Sequence, residues 1–213
     1  AINDKTGISY PVYEVQQSPL VSIIIPSKDN VEILKQCIRS VYEHTTYPNY
    51  EIIVVDNGSS AQARMALQNF QEECAFIYLY EPMDFNFSVM CNLGAKKAGG
   101  EYLLLLNDDM EVLADCEDWL ERMVGQASLR HVGAVGAKLL YPNSTLIQHA
   151  GVTNTISGPG HKLKGLDDTQ SYYYGRNKLV YDMIGVTAAC LLIRTKVYRA
   201  LGGLYEGLRV AYN

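Results

Sequence analysis

The run of four leucines at residues 103–106, followed at once by Asn107, Asp108 and Asp109, is the feature that most constrains the fold of this chain. An apolar run of that length between polar residues is typical of a strand buried in a parallel sheet. The carboxylates would then follow the carboxyl end of the strand, where ligands bind in open α/β sheets. Adjacent carboxylates repel each other, so a site that keeps both ionised usually supplies a cation. A solvated acidic turn is equally compatible with these residues, and the motif alone leaves both interpretations open.

The overall composition argues against several classes of protein. The chain has 213 residues, enough for one substantial core. Its 18 basic and 23 acidic residues give a formal net charge of −5, and without a basic tract nucleic acid is not an expected partner. No apolar stretch approaches the ~20 residues of a transmembrane segment, and no signal peptide is evident. Five scattered cysteines indicate buried free thiols in a reducing compartment, so we expect a cytoplasmic protein.

Alternating strand and helix patterns predict an α/β domain with a mostly parallel sheet flanked by helices. Residues 1–20 form a predicted lead-in segment, and residues 21–213 form the domain. The predicted strands are residues 21–25 (stopped by Pro26), 51–55, 76–80, 102–106, 132–140 and 187–193. The predicted helices are residues 31–44 (capped by Asp29 or Asn30, with Ile33 on the apolar face), 61–73 (capped by the turn 56–60), 88–98 (capped by Ser88), a helix around Trp119 and residues 196–201. Residues 141–180 are predicted to be loops and short strands over a cleft.

Polar clusters follow three of the predicted strands, at residues 26–29, 56–60 and 107–109. In a parallel sheet these clusters share one edge. No Gly-x-Gly-x-x-Gly follows the first strand and no Gly-Lys-Ser/Thr loop is present, so the dinucleotide fingerprint and the P-loop are both missing. The acidic third cluster can therefore hold phosphates only through a divalent cation. The sequence predicts a metal-bound nucleoside diphosphate as the ligand.

The order of these motifs resembles the inverting glycosyltransferases of family 2, which have the GT-A fold. The segments that carry the resemblance are residues 21–26, 53–59, 85–88, 92–95, 99–102 and 106–109. Residues 148–152 and 188–194 resemble the bacterial polysaccharide, or rhamnosyltransferase-like, branch, and residues 202–206 resemble its Gly-Gly-Phe-Asp-Glu motif on the acceptor side. The resemblance covers about residues 20–213, and the ordered series is more specific than any single motif.

The resemblance implies roles for residues on the donor side. Pro26, Ser27 and Asp56 would border the nucleobase and the ribose. Asn86 falls where the family often places a contact to the diphosphate. This set implies that the donor is a nucleotide-diphosphate sugar.

The resemblance also implies a metal site, since residues 107–109 match the Asp-x-Asp motif of the family. Asp109 would be the direct ligand of Mn²⁺ or Mg²⁺. Asp108 would contact the ribose or a water molecule bound to the metal. Asn107 stands where the family has an aspartate, and as an uncharged residue it would hydrogen-bond to the ribose.

On the acceptor side the resemblance points to Glu206, which would bind an acceptor hydroxyl; an ordinary loop or capping carboxylate is the alternative. Members of the family continue into an acidic pair whose aspartate is the catalytic base, and Asn213 matches the residue just before it. We therefore expect the base just after Asn213, and we expect the chain as given to bind donor but to transfer sugar poorly. The chain begins with a residue other than methionine, so we expect it to be part of a longer protein with further domains. Any association with a membrane would be through those domains.

The implied reaction is metal-dependent, inverting transfer of a sugar to a saccharide or lipid-linked acceptor in bacterial surface polysaccharide synthesis. Two alternatives are a non-catalytic nucleotide-sugar-binding module of a larger synthase and a sugar nucleotidyltransferase. The latter class needs a glycine-rich, arginine-containing loop after the first strand, and residues 26–29 do not form one. His149 and His161, which have no metal-ligand spacing, are interpreted as ordinary loop histidines.

Overall fold

The computed structural model of the protein describes residues 2–3, 8–9, 11–156 and 158–210, with side chains from residue 11 onward. Asn213 lies outside the described residues, and the catalytic base predicted beside it stays a prediction. The strands of the described part are β1 Ile2–Asn3, β2 Ile8–Ser9, β3 Val21–Ser27, β4 Tyr50–Asp56, β5 Ile77–Tyr80, β6 Tyr102–Leu106, β7 Ala134–Gly136, β8 Leu139–Leu140, β9 Ile147–His149, β10 Val152–Thr155, β11 Gly158–His161 and β12 Cys190–Arg194. The helices of the described residues are α1 Val31–Glu43, α2 Ala61–Phe70, α3 Phe87–Lys97, α4 Trp119–Ser128 and α5 Thr195–Ala200, and a 3-10 turn lies at Arg176–Lys178.

The central sheet has the strand order β5-β4-β3-β6-β12-β7, which confirms the predicted α/β class with a mostly parallel sheet. Strands β5, β4, β3 and β6 run parallel, while β12 is antiparallel to both of its neighbours. The leucine strand β6 lies between β3 and β12, and every one of its residues is buried. The interpretation of the leucine run as an interior parallel strand is therefore confirmed.

Helices cover both faces of this sheet, which explains why its strands are apolar at consecutive positions. Leu104 and Leu106 of β6 belong to the core under α1, α2 and α4, while Leu103 and Leu105 belong to the core under α3 and α5. Helix α3 packs tightly on β3, since a Cβ built at Gly94 would stand 2.4 Å from the Ile24 side chain. No helix among the described residues is long and apolar enough to cross a membrane.

Pro26 was predicted to end the first strand of the sheet, and this prediction is wrong. Strand β3 continues through Pro26 to Ser27, and Pro26 pairs with Val55 of β4. Pairing with β6 has already ended at Ile24 and Leu105. A proline is tolerated in a strand where there is no neighbouring strand on one side, because a backbone N–H on that side would have no hydrogen-bond partner in the sheet.

The predicted cap of α2 is confirmed, the predicted cap of α1 is confirmed in position only, and the predicted cap of α3 is wrong. Ser60 caps α2 by accepting a hydrogen bond from a backbone N–H. Asn30 occupies the N-cap position of α1 without a capping hydrogen bond from its side chain. At α3 the cap is Asn86 rather than Ser88, which is buried inside the first turn of the helix. On α1, Ile33 is half-exposed instead of facing the core.

The second half of the domain differs from the prediction in one strand. Residues 132–140 do not form a single strand but divide into β7, at the edge of the sheet, and β8, which pairs with β9. A Cβ at Gly136 would come within 2.5 Å of the Val186 side chain, so the chain is crowded where β7 ends. The run is rich in glycine and alanine, and its small side chains bury too little apolar area to keep all nine residues in one sheet.

Arg194, the last residue of β12, connects the sheet to the end of α4 through hydrogen bonds. Its guanidinium donates hydrogen bonds to the backbone carbonyls of Ala127, Leu129 and Val132, at 2.6, 2.9 and 2.5 Å. The last carbonyls of a helix have no partner within the helix, and a charged side-chain donor supplies one here.

We predict that Arg194→Met lowers the free energy of unfolding by about 2 kcal/mol, because it leaves these carbonyls without their donor. The matched control is Arg130→Met, at an exposed residue whose side chain makes no hydrogen bond to the described residues, and it should change stability by less than about 0.5 kcal/mol. Urea unfolding of the three proteins measures the difference. Equal losses in both variants would contradict the role given to Arg194.

Candidate functional site

The three polar clusters meet at the carboxyl edge of the parallel strands, as the sequence predicted. The Ser27 hydroxyl, at the end of β3, donates a 2.7 Å hydrogen bond to Asp108 Oδ2, just beyond the end of β6. Asp29 joins the loop after β3 to the loop after β4, because its N–H donates to Ser59 Oγ and its carboxylate accepts from the Ser60 N–H, both at 2.8 Å. The strand ends therefore form one connected polar surface.

The two carboxylates after β6 have different surroundings. Asp108 is half-buried, and its Oδ2 accepts hydrogen bonds from Ser27 and, at 3.3 Å, from Asn30 Nδ2. Asp109 is exposed, and within the described residues its carboxylate has no hydrogen bond or ion pair. Cys37 lies beneath them; burial and then the negative charges of Asp108 and Asp109 raise the pKa of its thiol. One carboxylate is thus held in place while the other is free to bind a ligand.

This pair of carboxylates fits a metal ion that arrives with a diphosphate. Nowhere in the described residues do three His, Cys, Asp or Glu side chains gather closely enough to hold a metal by themselves. Mg²⁺ is commonly bound through one or two carboxylates with substrate phosphates completing the shell, rather than in an all-protein cage. The donor set of Asp109 and Asp108 matches that mode of binding.

The buried carboxylate of Asp56 builds the turn after β4. Its Oδ1 accepts from the Gly58 and Ser59 N–H groups, at 2.9 and 2.7 Å, and its Oδ2 accepts from the Tyr78 hydroxyl. Burial, and then the hydrogen bond to Asp56, raise the pKa of Tyr78. Sequence reasoning missed Tyr78, because nothing in the β5 pattern distinguishes it from a core aromatic. The predicted contacts of Asp56 with a nucleotide stay a prediction, as do those of Pro26 and Ser27, which are also buried.

The structure brings together Asn86 and Glu206, which the sequence placed on opposite sides of the site. Asn86 Oδ1 caps α3 by accepting from the Val89 N–H at 3.1 Å, and its Nδ2 donates to the backbone carbonyl of Glu206 at 2.9 Å. The Glu206 carboxylate is exposed and accepts at 2.9 Å from Asn92 Nδ2. Within the described residues no hydrogen bond connects this group to Asp108 or Asp109.

Asn92 is a further residue that sequence reasoning missed. It lies on the buried face of α3, and its amide oxygen accepts from the Tyr198 hydroxyl at 2.6 Å and the Leu204 N–H at 3.0 Å. Its amide nitrogen donates to the Leu204 carbonyl as well as to Glu206. Asn92 therefore fixes the segment that carries Glu206. The signal in the sequence was a single amide between Cys91 and Leu93, on a face otherwise made of apolar and small residues.

A cleft of about 830 Å³ opens beside the acidic pair. Its walls come from the loop after β6, from β8 and β9 and from the residues before β12, with Asp109 and Lys164 among the charged side chains. This volume lies in the range of ordinary small-molecule sites. The cleft confirms the prediction that the loops and short strands of the second half stand over a cavity.

His149 and His161 were interpreted as ordinary loop histidines, but they form a pair in the wall of this cleft. Their Nδ1 atoms are 2.7 Å apart. His149 is 1% exposed, and its Nε2 accepts from the backbone N–H groups of Gly151 and Thr187, at 3.1 and 3.3 Å. Burial, and then the nearby His161, lower the pKa of His149 to about 4.

Residues 22–202 match the sequence model of the family described as "Glycosyl transferase family 2". Two relatives match nearly the whole chain. The O-antigen biosynthesis protein RfbC of Myxococcus xanthus is 38% identical over 212 residues, and protein y4gI of Sinorhizobium fredii is 39% identical over 208 residues. These matches cover 98% and 95% of this chain but only 16% and 22% of the two relatives, so the chain corresponds to a small part of each.

Among solved structures, the mannosyltransferase PcManGT of Pyrobaculum calidifontis, in complex with GDP-Man and Mn²⁺, superimposes with a TM-score of 0.67. The superposition covers 93% of this chain and 51% of that chain, at 17% sequence identity. At that identity the likeness concerns the fold, and it confirms the prediction of a GT-A type α/β domain.

We predict that the free energy of unfolding decreases as the pH falls from about 6.5 toward 4, because the unfolded chain binds a proton at His149 in this interval and the folded chain does not. In His149→Gln the side-chain oxygen can still accept from the backbone, but the titrating ring is gone, so the decrease should be shallower. Urea unfolding across this pH interval measures both slopes. Parallel curves for the two proteins would contradict the prediction.

Proposed function

The chain belongs to glycosyl transferase family 2, and from that premise we propose that it transfers a sugar from a nucleotide-diphosphate sugar to a saccharide or lipid-linked acceptor. The proposed transfer inverts the anomeric carbon and depends on Mn²⁺ or Mg²⁺. Its proposed place is bacterial surface polysaccharide synthesis, as the likeness to an O-antigen biosynthesis protein supports. The observation that carries the proposal is the pairing of a fixed carboxylate, Asp108, with a free one, Asp109, at the edge where the strand ends meet.

On the donor side, the loops after β3 and β4 and the acidic pair would hold the nucleotide diphosphate. Asp109 would be the direct metal ligand and Asp108 would lie beside it, while Asn107 would hydrogen-bond to the ribose. When bound, the ion supplies positive charge that stabilises the departing diphosphate. The Mn²⁺ and GDP-Man in the similarly folded mannosyltransferase support the choice of a divalent metal and a nucleotide-diphosphate sugar as the ligands.

On the acceptor side, the 830 Å³ cleft beside Asp109 would take the saccharide. Inversion requires the acceptor hydroxyl to attack the anomeric carbon from the side opposite the diphosphate, so the acceptor must lie across the sugar from the metal. The donor sugar would therefore lie in the part of the cleft beside Asp109, and the acceptor would bind farther from Asp109 in the same cleft. Glu206 is not among the residues that line this cleft; its exposed carboxylate, held by Asn92, is a separate proposed contact to an acceptor hydroxyl.

We predict that UDP or GDP stabilises the protein against heat only when Mn²⁺ is present, and that Asp109→Asn removes this metal-dependent stabilisation. A ligand at 100 times its Kd stabilises a protein by ~2.7 kcal/mol, which a thermal-shift panel resolves. The control is Glu117→Gln, which neutralises another exposed carboxylate and should keep the full shift. If Asp109→Asn retained the shift, the metal assignment would be overturned.

The hydrogen bond from Ser27 to Asp108 should matter for affinity more than for folding. We predict that Ser27→Ala weakens the binding of the nucleotide with Mn²⁺ by about three- to tenfold, because Asp108 loses one of the two donors that orient it. Calorimetric titration measures the change, and Ser171→Ala, at an exposed serine, should bind like the wild type. Unchanged affinity in Ser27→Ala would show that this hydrogen bond does not organise the site.

A further inference from the structure

The histidine pair in the cleft wall is positioned by two different strands. His149 ends β9, and His161 ends β11, where it lies opposite Val152 in the β10–β11 hairpin. His149 is buried while His161 is exposed, and both line the cleft that also contains Asp109. The pair therefore has one member inside the protein and one at the surface of the proposed acceptor site.

The backbone determines which nitrogen of each ring carries a proton. A backbone N–H can only donate, so Nε2 of His149, which receives two of them, must be unprotonated. The proton of the neutral His149 ring is then on Nδ1, from which it is donated to Nδ1 of His161. Because Nδ1 of His161 accepts that hydrogen bond, the proton of its neutral ring must be on Nε2. The low pKa of His149 agrees with a ring that stays neutral.

We propose that His161 is an acceptor-binding residue whose Nε2–H donates a hydrogen bond to an oxygen of the saccharide, and that His149 positions it by fixing its tautomer. This inference rests on the proposed sugar transfer. Nε2 of His161 has no hydrogen-bond partner among the described residues, so its donor is available to a ligand in the cleft. A neutral N–H donor suits a hydroxyl, ring or glycosidic oxygen.

The same geometry gives His161 a restricted role. Its Nδ1 is occupied by His149 and its Nε2 already carries a proton, so neither nitrogen can take the proton of an attacking hydroxyl. His161 is therefore a binding residue that selects for an oxygen at one position of the acceptor, and it is not the general base.

Two substitutions of His161 separate its two nitrogens. In His161→Asn the side-chain oxygen replaces Nδ1, so the hydrogen bond from His149 is kept and the donor to the cleft is lost. In His161→Gln the side-chain amide nitrogen replaces Nε2, so the donor is kept and the contact with His149 is lost. We expect His161→Gln to have the lower melting temperature, because the buried Nδ1–H of His149 then has no acceptor.

The first measurement is the tautomer of each ring, from long-range ¹H–¹⁵N NMR of the wild-type chain with labelled histidine near neutral pH. The expected result is a proton on Nδ1 but not on Nε2 of His149, and on Nε2 but not on Nδ1 of His161. A proton on Nε2 of His149, or on Nδ1 of His161, would overturn the proposal.

The second measurement is the binding of a panel of methyl glycosides of common hexoses and deoxyhexoses, in the presence of UDP or GDP and diamagnetic Mg²⁺. We expect at least one glycoside to shift the ring signals of His161, and we expect His161→Asn to bind it about three- to tenfold more weakly while His161→Gln retains binding. Equal binding by the wild type and His161→Asn, or no binding of any glycoside to the wild type, would overturn the inference.

The nucleotide in the same experiment separates this inference from the proposed function. If neither UDP nor GDP bound with Mg²⁺, the proposed transfer would fail whatever the histidine tautomers were. If the nucleotide bound normally to both His161 variants and the glycosides did not distinguish them, only the role of His161 would be lost.

Discussion

The parallel pairing of β6 with β3 is the constraint on which the rest of the structure depends. Strand β6 is buried on both faces and between two neighbours, so it can occupy only an interior position in the sheet. The residues that follow a strand in that position lie at the carboxyl edge of the sheet, next to the ends of β3 and β4. The burial of the leucines therefore brings Asp108 and Asp109 to the carboxyl edge of the sheet, which is where ligands bind in open α/β sheets.

A second feature recurs around the site: a buried polar group holds an exposed or half-exposed one in a defined position. The Ser27 hydroxyl holds Asp108, Asn92 holds Glu206, and His149 holds His161. Each of the three buried groups has its hydrogen-bond partners inside the protein, so none of them is left with an unpaired polar atom that would destabilise the core. If these side chains contact a ligand as proposed, they would already be oriented before it binds, which would reduce the entropy lost on binding.

Much of the fold could be predicted because buried segments have recognisable patterns of apolar residues in the sequence. The apolar runs of β3, β4 and β6 and the helical period of α1 give the parallel half of the sheet without any knowledge of long-range contacts. The predictions failed where a local signal competed with tertiary context. Pro26 remains in β3 because the pairing of β3 with β6 has already ended before it. The N-cap of α3 is Asn86 and not the predicted Ser88. The division of residues 132–140 into β7 and β8 was not predicted either, since β7 pairs with β12 and β8 pairs with β9, and the local pattern does not specify these partners.

The sequence by itself determined the class of the fold, the edge of the sheet where the polar clusters meet, and the presence of two carboxylates there. These follow from short-range patterns, because burial and strand direction dictate where a strand end must lie. Only the tertiary structure decided that Asp108 is anchored while Asp109 is free, that Asn86 and Glu206 are neighbours, and that His149 is hydrogen-bonded to His161. Those facts depend on hydrogen bonds between residues that the chain separates by 12 to 120 positions, and no local pattern encodes the partner of such a bond.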